Sequence, residues 1–319
     1  MSSVQGQLPL EDMPRRLYSC TPSRLNAWLD CRRRYRFSYL DRPQPSKGPA
    51  WAHNSVGASV HNALAGWWRE PYERRTPLTA AVLLTNGWIA EGFRDTEQSG
   101  RWLARARDLV SGYVATLDPA DEPVGVERTV ATRTKVIALS GRIDRLDRRG
   151  DELVVVDYKT GRRPLTQDDA RGSLALAAYA VAASSMLRTP CHEVELHHLP
   201  TGEIVQWRHT DESLARHLRR AEELASEAAE ADERYRAAVA APAKGRTAPR
   251  GQASRTSVPS SSAGASGRPF VGPAAVPPEI DELFAPSPGP ICSWCDFRRH
   301  CPEGQAVAPD RDPWDGLAE

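Results

Sequence analysis

The chain of 319 residues is long enough to bury a substantial core, in one domain with appendages or in two small domains. Its 42 lysine and arginine residues balance 41 acidic residues, so the net charge of +1 neither favours nor excludes a nucleic-acid partner. No apolar run reaches the roughly 18 residues of a membrane-spanning helix, and the N-terminus lacks the apolar core of a signal peptide, which predicts a soluble, cytoplasmic protein with no membrane partner.

The first 40 residues predict a flexible start followed by a helix. Residues 1–17 are polar and contain proline, so we expect them to be flexible. Thr21 and Pro22 are typical of a helix start, and apolar residues at helical spacing continue the helix to about Leu40. A basic run on this helix is either a solvated face or a surface that tracks phosphates. Its members are Arg32, Arg33, Arg34 and Arg36.

A second helix is predicted over residues 57–68 and contains His61. An isolated histidine in a helix is more often structural than a ligand, so the residues alone leave its role open. Two further helices are expected around residues 78–93 and 102–117. Residues 18–120 are therefore predicted to be a helical part.

Residues 121–240 predict a core that mixes strands and helices. β-Branched residues over 123–136 are typical of a strand, and period-two alternation over 139–161 predicts two strands joined by a turn at Arg148–Asp151. The following predicted elements are a helix over 167–187, a second hairpin over 192–209 and a long helix over 211–240.

Three charged side chains converge in the first hairpin. Asp157 and Lys159 lie two residues apart on a strand and so share a face, and the hairpin brings Asp144 near Asp157. Mg²⁺ and Mn²⁺ prefer oxygen ligands, and a lysine beside such a metal orients or deprotonates an attacking water. Phosphodiester cleavage uses this chemistry, although solvated charges at strand ends would give the same pattern.

The C-terminal part changes character. Residues 241–288 are dominated by Pro, Ala, Ser, Gly and Arg, which predicts a disordered linker. Residues 289–305 form a Cys-rich segment in which Cys292, Cys295 and Cys301 have the spacing C-x₂-C-x₅-C, typical of a metal centre. Residues 306–319 are expected to be a flexible tail.

The hairpin carries a resemblance to a nuclease family. The run from Gly141 to Arg145, GRIDR, followed by DYKTG from Asp157 to Gly161, resembles the RecB-like branch of the PD-(D/E)xK nuclease superfamily. In this comparison Asp144 is the first acid, and Asp157 and Lys159 are the (D/E)xK pair. The resemblance implies an α/β (α+β) fold: a restriction-endonuclease-like core with a central mixed sheet flanked by helices, an N-terminal helical part and a C-terminal cysteine cluster.

The resemblance also implies a metal site. Gly57 and His61 match a Gly-x-x-x-His helix start that supplies a metal-binding imidazole in this family. The implied cofactor is Mg²⁺ or Mn²⁺, and Lys159 would position the attacking water. The implied metal ligands are His61, Asp144, Asp157 and the carbonyl of Tyr158.

Two accessory residues follow from the same comparison. Glu127 matches the glutamate of a Val-Glu strand, where it serves either as a contact behind the metal ligands or only to keep an edge soluble. Tyr179 matches a family tyrosine, but Ala175 stands where the family usually has glutamine, which removes a polar contact near the metal or the DNA.

The cysteines resemble those of the iron-sulfur group of RecB-like nucleases. In that group one upstream cysteine and three C-terminal cysteines hold a [4Fe-4S] cluster, and the residues here are Cys31, Cys292, Cys295 and Cys301. Four thiolates also suit Zn²⁺, and the spacing alone does not decide between them. Cys20 and then His300 are weaker substitute ligands.

The function implied is a metal-dependent DNA exonuclease that acts on DNA ends or single strands in repair or recombination. The rival is a catalytically inactive nuclease-fold protein that binds DNA or serves as a scaffold, with an iron-sulfur or zinc staple. Arg162 and Arg163 form a basic loop expected to contact the DNA backbone. No G-x-x-x-x-G-K-[ST] motif is present, so a helicase motor would be a separate protein, and CRISPR adaptation proteins are another partner class.

Overall fold

The computed structural model describes residues 17–240 and 277–317. The strands of these two ranges are β1 (Tyr18–Cys20), β2 (Gly125–Arg133), β3 (Ile137–Arg149), β4 (Glu152–Lys159), β5 (Glu193–His198) and β6 (Glu203–Arg208). Their α-helices are α1 (Pro22–Asp30), α2 (Arg32–Tyr39), α3 (Ala52–Arg69), α4 (Pro77–Asn86), α5 (Thr96–Val114), α6 (Gln167–Arg171), α7 (Leu174–Leu187), α8 (Asp211–Ala240), α9 (Pro278–Asp281) and α10 (Pro302–Val307).

The strands form one mixed sheet centred on β3. Leu139 pairs with both β1 and β2, and Leu146 pairs with both β2 and β4, so β1 and β4 share one edge of β3 while β2 occupies the other. β4 then pairs parallel with β5, and β5 pairs antiparallel with β6. Residues 140–144 lie between β1 and β4 on the shared edge, and this opening in the sheet holds Asp144.

Alternate residues of the strands pack on opposite faces of the sheet, which gives the core two layers. Val154 and Val156 of β4 pack with α3, α4 and α5. Leu153 and Val155, the alternate residues, pack with α7 on the other face. A third cluster joins α1, α2 and α8 beside the β1 end of β3. The predicted α/β core, a central mixed sheet flanked by helices, is therefore confirmed.

Two helices that the sequence predicts as continuous are broken. The first ends at Asp30 because Cys31 is extended, with φ −166° and ψ 113°, and its Sγ accepts a hydrogen bond from the Arg34 amide to start α2. The helix predicted over 167–187 breaks at Gly172, after which the Ser173 hydroxyl accepts a hydrogen bond from Leu176 at the start of α7. Helical spacing of apolar residues survives breaks of one or two residues, so the sequence pattern did not reveal them.

The C-terminal segment differs from the prediction at both of its ends. Most of the predicted linker, residues 241–276, lies outside the described residues, but α9 begins within its predicted span and Phe284 is fully buried. The predicted flexible tail instead packs on the core: the Ala52 amide donates to the Pro313 carbonyl over 3.0 Å, and Leu317 is buried among residues of α3 and α5. The side chains of Trp314 and Leu317 supply the apolar surface through which the tail packs on this core.

Within the described residues, no helix combines the length and apolarity needed to cross a membrane.

An ion pair between the half-exposed Arg149 and the buried Glu195 ties β3 to β5. Both terminal nitrogens of Arg149 donate to the Glu195 carboxylate, over 2.5 and 2.8 Å, and His197 and Gln206 also contact it. Burial alone would raise the pKa of Glu195, but these partners together lower it to about 2. The ionised carboxylate therefore stabilises the folded state, a contribution present above the ordinary carboxyl pKa and lost as the pH falls toward 2.

We predict that Glu195→Gln lowers the free energy of unfolding by about 1–3 kcal/mol at pH 7, because it removes the charge of the buried carboxylate that accepts hydrogen bonds from Arg149. The difference between variant and parent should shrink as the pH falls below about 4. Urea unfolding at several pH values measures both effects, with Glu203→Gln, an exposed glutamate of β6, as the control. Equal stability of Glu195→Gln and parent at pH 7 would contradict the prediction.

Candidate active site

A group of three potential metal ligands lies at the opening beside β3. His61 of α3, Glu127 of β2 and Asp144 of β3 each offer one ligand atom, and the three atoms lie within 4.8 Å of one another. His61 Nδ1 is 3.3 Å from Asp144 Oδ2. Within the described ranges, no other three His, Cys, Asp or Glu residues have ligand atoms this close together. An imidazole and two carboxylates are a donor set that suits a divalent cation such as Mg²⁺ or Mn²⁺.

The group carries excess negative charge. Burial alone would lower the pKa of His61, but the hydrogen bond with Asp144 and the charges of Asp144, Asp157 and Glu127 raise it above its ordinary value. The carboxylates thus attract any cation at this position. A divalent ion would relieve the repulsion between them, so the residues present fit such an ion.

α3 reaches this position because of a glycine. Gly57 is one helical turn before His61, and a Cβ atom at Gly57 would lie 3.3 Å from Thr160 Oγ1 at the end of β4. A side chain there would require the Thr160 hydroxyl to shift by a few tenths of an ångström. Gly57 lies in the second turn of α3, which begins at Ala52 and not at the predicted residue 57, and it lets the helix approach the end of β4 while His61 faces the carboxylates.

Glu127 joins the group through the register of β2 with β3. Val126 pairs with Arg145 and Arg128 pairs with Ile143, so Glu127 stands opposite Asp144. Glu127 has a φ of +49°, a left-handed conformation that costs a non-glycine residue about 1 kcal/mol or more. Its carboxylate also pairs with Arg142 over 2.7 Å. Sequence reasoning left open whether Glu127 acts near the metal, since only the pairing of two strands brings it beside Asp144.

Asp157 and Lys159 lie next to this group without belonging to it. Continuing the register of β3 with β4 by one position puts Asp157 opposite Asp144, and Lys159 Nζ lies 2.6 Å from Asp157 Oδ2. Burial and the charge of Asp144 raise the pKa of Asp157, although Lys159 and His61 act in the opposite sense. The predicted acid and lysine are thus adjacent, and the negative charge of Asp144 acts on the Asp157 carboxyl group.

Tyr158 contacts the site through its amide and its ring. Its amide donates to Asp144 Oδ2 over 2.9 Å, at the point where β3 and β4 stop pairing backbone to backbone. Its side chain is buried on the face of the sheet that packs against α3. Tyr179 of α7 lies on Gly141, where a Cβ would come within 2.3 Å of the ring, and Asp157 and Asp144 contribute to raising its pKa after burial. The partly buried Ala175 lies one turn earlier on α7.

A cleft of about 490 Å³ opens over the three-ligand group. Trp102 of α5, Arg142 of β3 and Arg162 of the loop after β4 line it, and so do Gly316 and Leu317 of the docked C-terminal segment. Gly316 lies so close to the His53 ring that a Cβ there would be 2.4 Å from Nδ1. The contribution of this segment was missed because the sequence gives no signal for docking beyond two isolated apolar residues.

The predicted basic surface is only partly exposed. Arg33 and Arg36 turn inward and form ion pairs with Asp281 of α9, and Arg36 also pairs with Asp41. This differs from the expectation of a phosphate-tracking face, and the cause is an acidic partner more than 240 residues away along the chain. Of the other predicted DNA contacts, Arg32 pairs with Glu227, Arg34 with Asp30 and Arg163 with Asp169, while Arg162 lines the cleft.

The four predicted cluster cysteines line one cavity and are free thiols. A Cβ at Gly304 would lie 3.3 Å from Cys292 Sγ and 3.4 Å from Cys301 Sγ, so the glycine leaves room for both sulfurs. Burial raises the pKa of Cys295 and of Cys301, and the charge of Cys31 contributes in both cases. Four cysteine sulfurs that face one cavity are a donor set that fits a metal or an iron-sulfur cluster. The substitute candidate Cys20 is buried with Leu25 and Trp28 and does not line this cavity.

Comparison with known proteins gave one family. The family model described as the PD-(D/E)XK nuclease superfamily matches residues 19–264. No curated protein matches the chain.

We predict that Glu127→Gln weakens Mn²⁺ binding by about tenfold or more, because ligand charge largely sets the affinity of such sites. Isothermal titration calorimetry with Mn²⁺ measures the change. Glu97→Gln, an exposed glutamate at the start of α5, is the matched control and should bind as the parent does. Unchanged affinity of Glu127→Gln would show that this carboxylate is not a ligand.

Proposed function

Because the chain belongs to the PD-(D/E)XK nuclease superfamily, we propose that it is a metal-dependent DNA exonuclease that hydrolyses phosphodiester bonds at DNA ends or in single strands. The observation that carries the proposal is the convergence of His61, Glu127 and Asp144 beside Asp157 and Lys159. We further propose the RecB-like branch, a role in DNA repair or recombination, and a cytoplasmic location, in which reducing conditions keep the thiols free.

The cation would be held by His61, Asp144 and Glu127, with Asp157 and the Tyr158 carbonyl as the further ligands suggested by the family motif. The motif alone suggests a ligand set without Glu127, and we add Glu127 to that set because it lies beside His61 and Asp144. When bound, Mg²⁺ or Mn²⁺ supplies a Lewis acid for the phosphoryl oxygen and lowers the pKa of the attacking water.

Lys159 supplies a positive charge beside the reacting phosphate. Its ammonium donates hydrogen bonds, and in the free protein Asp157 holds it 2.6 Å away. A donor held in this way can orient the attacking water and stabilise the negative charge that develops on the phosphoryl oxygens. Asp157 fixes the direction of the Lys159 side chain.

The cleft supports binding of a nucleic-acid strand. Arg142 and Arg162 offer guanidinium groups for phosphates, and Trp102 offers an aromatic face for a base. The separate helicase or CRISPR adaptation proteins suggested by the family remain proposals for partners, and the nucleic acid is the substrate that the site itself favours.

We predict that Asp157→Ala and Lys159→Ala each abolish cleavage while the protein still folds and binds DNA, because Lys159 acts on the reacting phosphate and Asp157 both holds Lys159 and is a proposed metal ligand. Purified protein with Mn²⁺ and single strands labelled at the 5′ or the 3′ end measures cleavage and its polarity. Lys135→Ala, an exposed lysine in the turn between β2 and β3, controls for the loss of a positive charge and should cut as the parent does. Cleavage at the parental rate by either active-site variant would disprove these roles.

A second candidate function is DNA binding or scaffolding without turnover. The feature that favours it is Ala175, which stands where the family usually has glutamine, one helical turn before Tyr179. In the same assay this alternative predicts that the parent binds labelled DNA but leaves it intact at every Mn²⁺ or Mg²⁺ concentration.

We also propose that Cys31, Cys292, Cys295 and Cys301 hold a [4Fe-4S] cluster, with Zn²⁺ as the alternative. The support is that the four free thiols line one cavity although Cys31 is far from the others in sequence. Such a centre would staple the start of α2 to the C-terminal segment.

We predict that protein purified without oxygen is brown, contains iron and absorbs visible light, and that Cys301→Ser loses the colour and lowers the midpoint of thermal unfolding. Cys191→Ser, which changes a buried thiol outside this cavity, should keep the colour. Colourless protein with stoichiometric zinc would exclude the iron-sulfur cluster and favour the zinc staple.

A further inference from the structure

The buried Tyr158 of β4 contacts both α3, which carries His61, and β3, which carries Asp144. The Tyr158 amide donates to Asp144 Oδ2 over 2.9 Å, and its chain neighbours are Asp157 and Lys159. Its ring meets the His61 ring edge to face, with centroids 5.9 Å apart and planes at 81°. Tyr158 therefore contacts His61 through its ring and Asp144 through its backbone amide.

The Tyr158 hydroxyl is also bound to α3. Trp68 Nε1 donates to it over 3.1 Å, and this hydrogen bond is buried. Trp68 follows His61 by two helical turns, so both residues project toward the same side of α3. The ring contact and the hydrogen bond thus hold the helix against β4 at two points, with His61 at one of them.

A buried arginine completes the surroundings of the hydroxyl. Arg145, which is 4% exposed, has Nη1 3.5 Å from the Tyr158 hydroxyl and 3.4 Å from the Tyr113 hydroxyl. Its guanidinium lies over the Trp68 ring, 5.1 Å from the centroid, and is paired with Asp147 over 2.9 Å. Arg145 directly follows Asp144 on β3, so this contact joins β3 to the same tyrosine. Loss of the hydroxyl would leave the Trp68 and Arg145 donors without that acceptor in a dry environment.

We infer that Tyr158 is a positioning residue whose hydroxyl sets the separation between His61 and the carboxylates of Glu127 and Asp144, and thereby the affinity of the site for a divalent cation. The inference rests on the proposed function, since it assumes that these three residues bind the ion. Tyr158 acts through the bond to Trp68, which fixes α3, and through its amide, which fixes Asp144. Groups that orient metal ligands in this way typically change the affinity by 10- to 100-fold when they are removed.

The test compares Tyr158→Phe with Tyr235→Phe. Both changes delete one buried phenol oxygen, and the Tyr235 hydroxyl donates to Asp41 over 2.7 Å at the α8 end of the molecule, in a different core cluster. Mn²⁺ titration by calorimetry should give about tenfold weaker binding for Tyr158→Phe and parental binding for Tyr235→Phe. Cleavage by Tyr158→Phe should be slow at low Mn²⁺ and recover at high Mn²⁺, with an unchanged KM for DNA.

A second variant keeps the test decisive if Tyr158→Phe folds poorly. Trp68→Phe removes the indole donor, retains an aromatic ring and should weaken Mn²⁺ binding in the same direction, while thermal unfolding reports stability separately. Parental Mn²⁺ affinity in Tyr158→Phe or in Trp68→Phe, or equal weakening in Tyr235→Phe, would overturn the inference. If the parent protein binds Mn²⁺ but cuts no DNA, the proposed function fails, and the comparison of binding affinities still decides the role of Tyr158.

Discussion

Repulsion between carboxylates held close together is the constraint around which the candidate site is built. Glu127, Asp144 and Asp157 occupy facing positions on three adjacent strands, and their charges act on one another and on His61. A fold normally separates like charges, and here the strand register forces them together. Because the carboxylates lie close together, the site attracts cations and suits a divalent ion. The strained backbone of Glu127 is consistent with a position selected for chemistry at some cost in stability.

The polar groups beneath the site have a different task from those within it. Tyr158, Tyr113, Arg145 and His197 are buried and joined by hydrogen bonds that continue to Glu195 and Arg149. None of them lines the cleft. Because each group has polar partners in a dry environment, the network holds the strands and α3 in one arrangement. The candidate site residues and the residues that hold them are thus neighbours in sequence, as in the alternation of Asp157, Tyr158 and Lys159.

The C-terminal segment links the cysteine cavity to the cleft. The Asp296 carbonyl accepts a hydrogen bond from Gly48, and the Asp296 carboxylate accepts one from Trp51, directly before α3. Further along, Pro313 binds the first turn of α3, and Gly316 and Leu317 reach the wall of the cleft. The thiol cavity and the three-ligand group are therefore joined by the short stretch of chain that leads into the helix carrying His61.

Local pattern in the sequence determined the strand hairpin, the shared face of Asp157 and Lys159, and the helix that carries His61, because period and turn chemistry depend only on neighbouring residues. The tertiary structure decided the features that depend on partners distant in sequence. Glu127 joins the site only through the register of two strands, and Arg33 and Arg36 turn inward only because Asp281 lies beside them. The sequence from Pro313 to Leu317 likewise predicts only a flexible tail. In the folded protein this segment packs on an apolar surface formed by α3 and α5. Such contacts are absent from any local window of the sequence, since their free energy arises only when the chain is folded.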